Sequence, residues 1–195
     1  MVKVLLWSGG YDSTVLKAYL GDVKTYFFDI SYYDPNAEGW AKFRSNESED
    51  LVTKGKRDYW IAMALDRPEG SDYMPCRNTI MVLNVVNQLV YRGVDEAEIY
   101  LGLIKNFPRY ADANQEWVDS INALLKVEFG GKYKVVAPFI DLTKDEVYKL
   151  GCSLGVKLED TFSCNFANED GEPCGECDNC LWRAKHKYPE YWRIK

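Results

Sequence analysis

Two stretches of this 195-residue chain place reactive or ligating residues at informative spacings. The first is Ser8-Gly9-Gly10-Tyr11-Asp12-Ser13, directly after the apolar run Val2–Trp7. Adjacent glycines let backbone N–H groups approach an anion closely. A helix opening at Asp12-Ser13-Thr14 adds partial positive charge, and the Ser8 and Ser13 hydroxyls add donors, so the loop suits the phosphates of a nucleotide. No lysine follows the glycines as in a Walker A loop, and the spacing is not GxGxxG. The plain alternative is a Gly-rich turn in which Asp12 or Ser13 caps the helix. The whole hexapeptide at a strand-to-helix junction favours phosphate binding.

The second is Cys164-x9-Cys174-x2-Cys177-x2-Cys180. Four thiolates at these spacings can converge on one tetrahedral Zn²⁺, and an all-cysteine set leaves no position for water, which makes such a metal structural. Gly171, Pro173 and Gly175 shape the turns. Two disulfides or unrelated thiols are the alternative, disfavoured in a reducing compartment, and an Fe–S cluster also satisfies the spacing. The two remaining cysteines, Cys76 and Cys152, are expected to be small buried residues. The sole histidine, His186, excludes a His-rich metal site and leaves little room for a His-dependent triad.

Strands and helices must alternate to position these residues. Strands are expected at 2–7, 25–30, 59–64, 98–103 and 133–136. Helices are expected at 12–20, 78–91, 114–127 and 143–154. Another is expected around 37–54, and residues 66–75 form a loop. This alternation predicts an α/β fold, a parallel sheet with helices on both faces. The aromatic, basic tail 188–195 is expected to be a packed end.

The net charge of −6 makes the surface a poor grip for a phosphate backbone, which weighs against a tRNA or DNA partner. The N-terminal apolar run is too short for a signal peptide, and no stretch reaches the length of a membrane span. A cytoplasmic protein without a membrane partner is expected.

The two motifs together resemble a known group. The opening loop resembles the SGGxDS signature of PP-loop ATP-pyrophosphatases. Three further segments follow in order: Met74-Pro75-Cys76-Arg77-Asn78, Leu142-Thr143-Lys144-Asp145-Glu146 and Thr161-Phe162-Ser163-Cys164. With Pro173-Cys174-Gly175-Glu176-Cys177-Asp178-Asn179-Cys180 they are similar to the QueC family of 7-cyano-7-deazaguanine (preQ0) synthases. The resemblance covers nearly the whole chain. It implies a HUP-type sheet of order 3-2-1-4-5 in a single domain over 1–195, with 161–183 as a zinc-binding appendage. It also implies an ATP-dependent ligase of queuosine biosynthesis that converts 7-carboxy-7-deazaguanine and ammonia to the nitrile preQ0. A homodimer is common in such families.

Carried over by position, Ser8, Gly9, Gly10, Tyr11, Asp12 and Ser13 would hold the ATP phosphates, with Mg²⁺ bridging them and Asp12 as its ligand or orienter. Lys144 would reach a phosphate and share the catalytic role with Asp12. Arg77 and Asn78 would lie near the nucleotide or substrate. Tyr110, Asp112 and Asn114 would line the acceptor site, Asp112 accepting from a guanine-like N–H edge and Tyr110 or Phe107 offering a ring face. Cys164, Cys174, Cys177 and Cys180 would hold zinc. Each has a plainer alternative: Arg77 pairs with a surface carboxylate, Thr143-x-x-Glu146 is a capping box that leaves Lys144 solvated, and Asp112 caps a helix beginning near Ala113.

The chain also departs from the family. Where Tyr-Pro-Asp-Cys-Arg is usual, it has Tyr110-Ala111-Asp112-Ala113-Asn114, and Ser31-Tyr32-Tyr33-Asp34-Pro35 replaces an Arg/His-bearing stretch. Asn in place of Arg changes which anion or ring edge a pocket can hold. Two alternatives remain: a PP-loop adenylating enzyme with another acceptor (deazaguanine conjugation or tRNA modification), and a non-catalytic nucleotide-binding protein.

Overall fold

The computed structural model describes residues 1–33, 43–44, 52–65, 73–105, 110–167 and 172–186. The first strand, β1 (Val2–Leu6), sends Val4 and Leu6 into one core cluster and Leu5 into another, joined there by Trp7. A strand with core on both faces reads as a continuous apolar run, as a central parallel strand does. Helix α1 (Tyr11–Leu20) follows and leads to β2 (Lys24–Tyr33), which pairs parallel to β1. Next come β3 (Phe43–Arg44) and β4 (Tyr59–Leu65), then α2 (Arg77–Tyr91) and β5 (Ala97–Tyr100). The chain continues through α3 (Gln115–Phe129), β6 (Tyr133–Val136), α4 (Lys144–Ser153) and α5 (Asp178–Lys185).

The five parallel strands run in the order β4-β2-β1-β5-β6, which is the expected 3-2-1-4-5 when parallel strands alone are counted. Strand β2 reaches Tyr33, beyond the expected Ile30, because β4 pairs with it without a break from Tyr26–Tyr59 to Tyr32–Leu65. Strand β3 lies inside the stretch expected to be helical and pairs antiparallel with the end of β2, Tyr32 opposite Arg44. The rest of that expected helix up to residue 51 lies outside the described residues, as do residues 66–72 of the expected loop and the tail 188–195.

Helices α2 and α3 cover one face of the sheet. Val82, Val85, Val86 and Leu89 of α2 pack with Val118, Ile121 and Leu125 of α3 against Val4, Leu6, Tyr26, Phe28 and Ile99. Helices α1 and α4 cover the other face, where Tyr11, Val15, Leu16 and Val147 pack against Leu5, Trp7, Tyr100 and Phe139. Gly151 of α4 is the contact point with α1, since a Cβ there would overlap the Tyr11 hydroxyl and crowd Val15. Helix α3 runs two residues past its expected end and stops at Gly130, whose left-handed backbone terminates it. Among the described residues no helix is long and apolar enough to cross a membrane.

Candidate active site and metal centre

Strand order reverses direction between β1 and β5, the place where open parallel sheets form a crevice outside the carboxyl ends of their strands. The loop Ser8–Gly10 sits there. Gly9 has φ 78°, which turns the chain sharply out of the strand. Helix α1 starts at Gly10 with no side-chain hydrogen bond at its N-cap, and the first-turn N–H groups of a helix have no carbonyl of their own helix to pair with. Ser8 Oγ and Ser13 Oγ are 3.1 Å apart across the loop, Gly10 N donates to Ser8 Oγ (3.3 Å) and Ser13 Oγ lies 3.1 Å from Gly10 O. Tyr11 points away from the crevice: its ring is buried against Tyr148 and Trp182, and it contributes backbone only to the loop. Gly102, just past β5, closes the floor, where a Cβ would stand 3.1 Å from Ser13 N.

Helix α4 opens at the same crevice. Thr143 and Glu146 form a reciprocal capping box there, as Thr143-x-x-Glu146 predicts. The Thr143 backbone N–H and then its hydroxyl hold the Glu146 carboxyl below the usual range. Lys144 is not solvated. Its Nζ lies 2.6 Å from Asp12 Oδ2, 132 positions away in sequence, and 3.3 Å from Asn179 Oδ1. The other Asp12 oxygen, Oδ1, is buried with no hydrogen-bond partner. An unbonded buried carboxylate oxygen is costly unless a cation or donor completes it. Its chemistry fits a divalent cation beside the glycine loop.

The expected acceptor residues gather at the start of α2. Tyr73 and Tyr110 stack with centroids 5.4 Å apart, and the Arg77 guanidinium carbon is 5.9 Å from the Tyr110 ring centre. Asp112 is buried, and its role as a cap differs from the expected one. Its Oδ2 accepts from Asn78 N (2.8 Å) and its carbonyl from Asn78 Nδ2 (2.6 Å), so it caps α2 from across the fold. Helix α3 is capped instead by Asn114, whose Oδ1 accepts from Trp117 N (2.8 Å). Cys76, at the N-cap of α2, has φ 58° and is exposed, and Cys152 is exposed as well; the expectation that both are buried is wrong. Cys152 follows the buried Gly151 on α4, and neighbouring helical positions face different sides. Phe107 lies outside the described residues.

The four expected cysteines converge, with their Sγ atoms all within 4.8 Å of one another. A tetrahedral metal with Zn–S bonds near 2.3 Å requires sulfurs about 3.8 Å apart, so small adjustments bring this set onto one ion. Cys174 N and Phe166 N both point at Cys164 Sγ (3.2 and 3.4 Å). Burial pushes the Cys164 thiol up to about 11 and the Cys180 thiol up as well. At Cys174 burial is outweighed by the Glu176 and Cys177 N–H groups, which hold that thiol down. The donor set fits a soft or borderline cation that supplies the charge the thiolates lack.

Periodicity gave no sign of two further features. Helix α5 carries Arg183, which is 1% exposed. Its guanidinium donates to Thr161 Oγ1, Ser163 Oγ and the carbonyls of Leu158 and Thr161, tying residues 158–163 to the cysteine segment. From there Phe162 N donates to Gly9 O (3.0 Å), so the segment leading to Cys164 also holds the Ser8–Gly10 loop. An arginine on a short polar helix reads as solvated, and only the fold reveals its acceptors.

The family model of the queuosine biosynthesis protein QueC matches residues 52–189. A 7-cyano-7-deazaguanine synthase from Saccharophagus degradans is 39% identical over 134 residues, covering 64% of this chain and 58% of that relative, under two thirds of its length. A 7-cyano-7-deazaguanine synthase from Rickettsia peacockii is 28% identical over a 209-residue alignment covering 92% of this chain and 91% of the relative. One from Pelobacter propionicus is 35% identical over 127 residues, covering 60% of this chain and 55% of that protein.

Proposed function

The chain belongs to the QueC family, and from that membership we propose that it is an ATP-dependent carbon–nitrogen ligase that converts 7-carboxy-7-deazaguanine and ammonia to 7-cyano-7-deazaguanine. The observation that carries this reading is the uncapped start of α1 facing the Asp12–Lys144 pair at the strand-order reversal. That arrangement suits a polyphosphate with an associated cation. The loop N–H groups and the Ser8 and Ser13 hydroxyls bind the phosphates. Asp12 Oδ1 is the ligand available to Mg²⁺, and Lys144 turns a donor to a phosphate oxygen. ATP supplies the group that activates the carboxylate, and ammonia displaces that group with its oxygen to give the amide; a second ATP activates the amide oxygen, which then leaves with its activating group as the nitrogen loses both protons, giving the nitrile. The protein's part is alignment and neutralisation of developing charge.

The acceptor is assigned to the start of α2. Tyr110 and Tyr73 offer ring faces, Asp112 Oδ1 accepts from the guanine-like N–H edge while Oδ2 caps α2, and Arg77 and Asn78 lie beside it. Asn114 sets the entry of α3 next to this wall. Zinc at Cys164, Cys174, Cys177 and Cys180 is structural, and residues 161–183 form an appendage of one domain.

Incubation of the purified protein with ATP, Mg²⁺, ammonia and the 7-carboxy compound, followed by mass spectrometry, tests this reading. The nitrile is expected, with loss of carboxylate that depends on ATP. ATP binding without consumption of the carboxylate would overturn the acceptor. Asp112→Asn is expected to raise KM for the acceptor more than KM for ATP. Elemental analysis is expected to find one zinc per chain.

A further inference from the structure

Asn179 stands between two metal-ligand cysteines in Cys177-Asp178-Asn179-Cys180, and its side-chain amide is engaged at both ends. Nδ2 donates to Asn165 Oδ1 (3.1 Å), and Oδ1 accepts from Lys144 Nζ (3.3 Å). Lys144 continues to Asp12 Oδ2 at 2.6 Å. A polar chain therefore runs Asn165–Asn179–Lys144–Asp12 from the cysteine cluster to the phosphate loop. Its first two members directly adjoin Cys164 and Cys180.

The chemistry of the amide suits this placement. A lysine has three N–H donors and a long flexible stem, and ordering that stem costs conformational entropy. Two donors aimed at fixed acceptors order Lys144 before any anion arrives and leave the third for a phosphate oxygen. Asn179 accepts from the ammonium without neutralising it, whereas a carboxylate at this position would compete with phosphate for the same charge. Asn165 fixes which end of the amide faces Lys144, because its Oδ1 requires the NH₂ end. The Trp182 ring, 5.1 Å from Nζ, closes the remaining side.

We propose that Asn179 is a positioning residue for the ATP site, holding Lys144 from the metal-bearing segment so that order in the cysteine cluster is passed to phosphate binding. This rests on assigning the Ser8–Ser13 loop to ATP. In the full-length protein, titration calorimetry with ATP and Mg²⁺, together with metal content and thermal unfolding, is the test. Asn179→Ala is expected to keep its metal and its melting temperature while ATP affinity falls on the order of tenfold, the effect of losing one pre-ordered contact. KM for ATP should rise with kcat changed far less. Asn179→Asp is expected to bind ATP more weakly still, which a space-filling role would not produce. If Asn179→Ala loses metal, Asn165→Ala leaves Asn179 and all four cysteines in place and takes over the same measurement, with a smaller fall expected. Wild-type ATP affinity in the metal-replete variant overturns the proposal. Failure of the wild type itself to bind ATP instead overturns the assignment of the loop.

Discussion

Helices α1 and α4 begin at the same crevice and are built on opposite principles. Helix α4 is self-sufficient: Thr143 and Glu146 satisfy each other's orphan groups, and Asp145 and Glu146 place negative charge in the first turn. Helix α1 starts at Gly10 with no side-chain cap. The charges complete the contrast. Lys144 is a cation at the positive end of α4, a placement that costs roughly 0.3–1 kcal/mol, and the capping box and Asp12 offset that cost. A local rule is broken at one helix start and a side-chain cap is missing at the other, the pattern that the proposed anion site would require.

Removing the carboxylate breaks the comparison most severely. Asp12→Ala is expected to lower kcat/KM by roughly 10²-fold or more, with little change in melting temperature, because it deletes the partner of Lys144 and the orphaned Oδ1 together. Making α1 resemble α4 should reverse the balance. Gly10→Ser offers a capping oxygen at backbone angles that accept one, with its Cβ 3.3 Å from Ser8 Oγ, a side chain that can shift. Stability without ATP should rise by up to about 1 kcal/mol in denaturant titration while ATP affinity drops about tenfold, since serine occupies a donor that phosphate needs. Making α4 resemble α1 is the complementary change. Thr143→Ala should cost about 1 kcal/mol of stability and shift KM for ATP less than Gly10→Ser does.

The smallest effect is expected far from both helix starts, at the entry to β4. Asp58 accepts from Thr25 N, Thr25 Oγ1 and Lys24 Nζ. Burial pushes its carboxyl up, but these three donors outweigh that and hold it below the usual range. A carboxyl depressed in the folded state adds stability above its unfolded pKa, lost as pH falls through the lower folded value. Asp58→Asn should therefore flatten the decline in melting temperature below about pH 4 and leave ATP affinity unchanged. A change in ATP affinity would break the separation between structural and site carboxylates.

Much of this architecture was legible in the residues alone. The apolar run of β1, the glycines after it, the period of α2 and α3, the capping box and the cysteine spacing each express a local rule, and each stands where it was expected. What escaped depends on distant partners. Phe43–Arg44 are strand because β2 outruns β1 and leaves an edge for them. Asp112, expected at the acceptor site and in the plainer alternative to cap a helix beginning near Ala113, caps α2 instead, through a residue 34 positions earlier.

The sequence by itself determined that this protein is a parallel α/β fold with a glycine loop between its first strand and first helix and a four-thiol cluster. Local propensity, periodicity and ligand spacing are properties of short segments. Only the tertiary structure decided that Asp12 meets Lys144, that Asn179 holds Lys144 from the cysteine segment, and that Arg183 is buried. Those contacts are set by strand order and by the approach of α4 to α1 over Gly151. No single stretch of chain contains the information that brings two charges 132 residues apart to 2.6 Å.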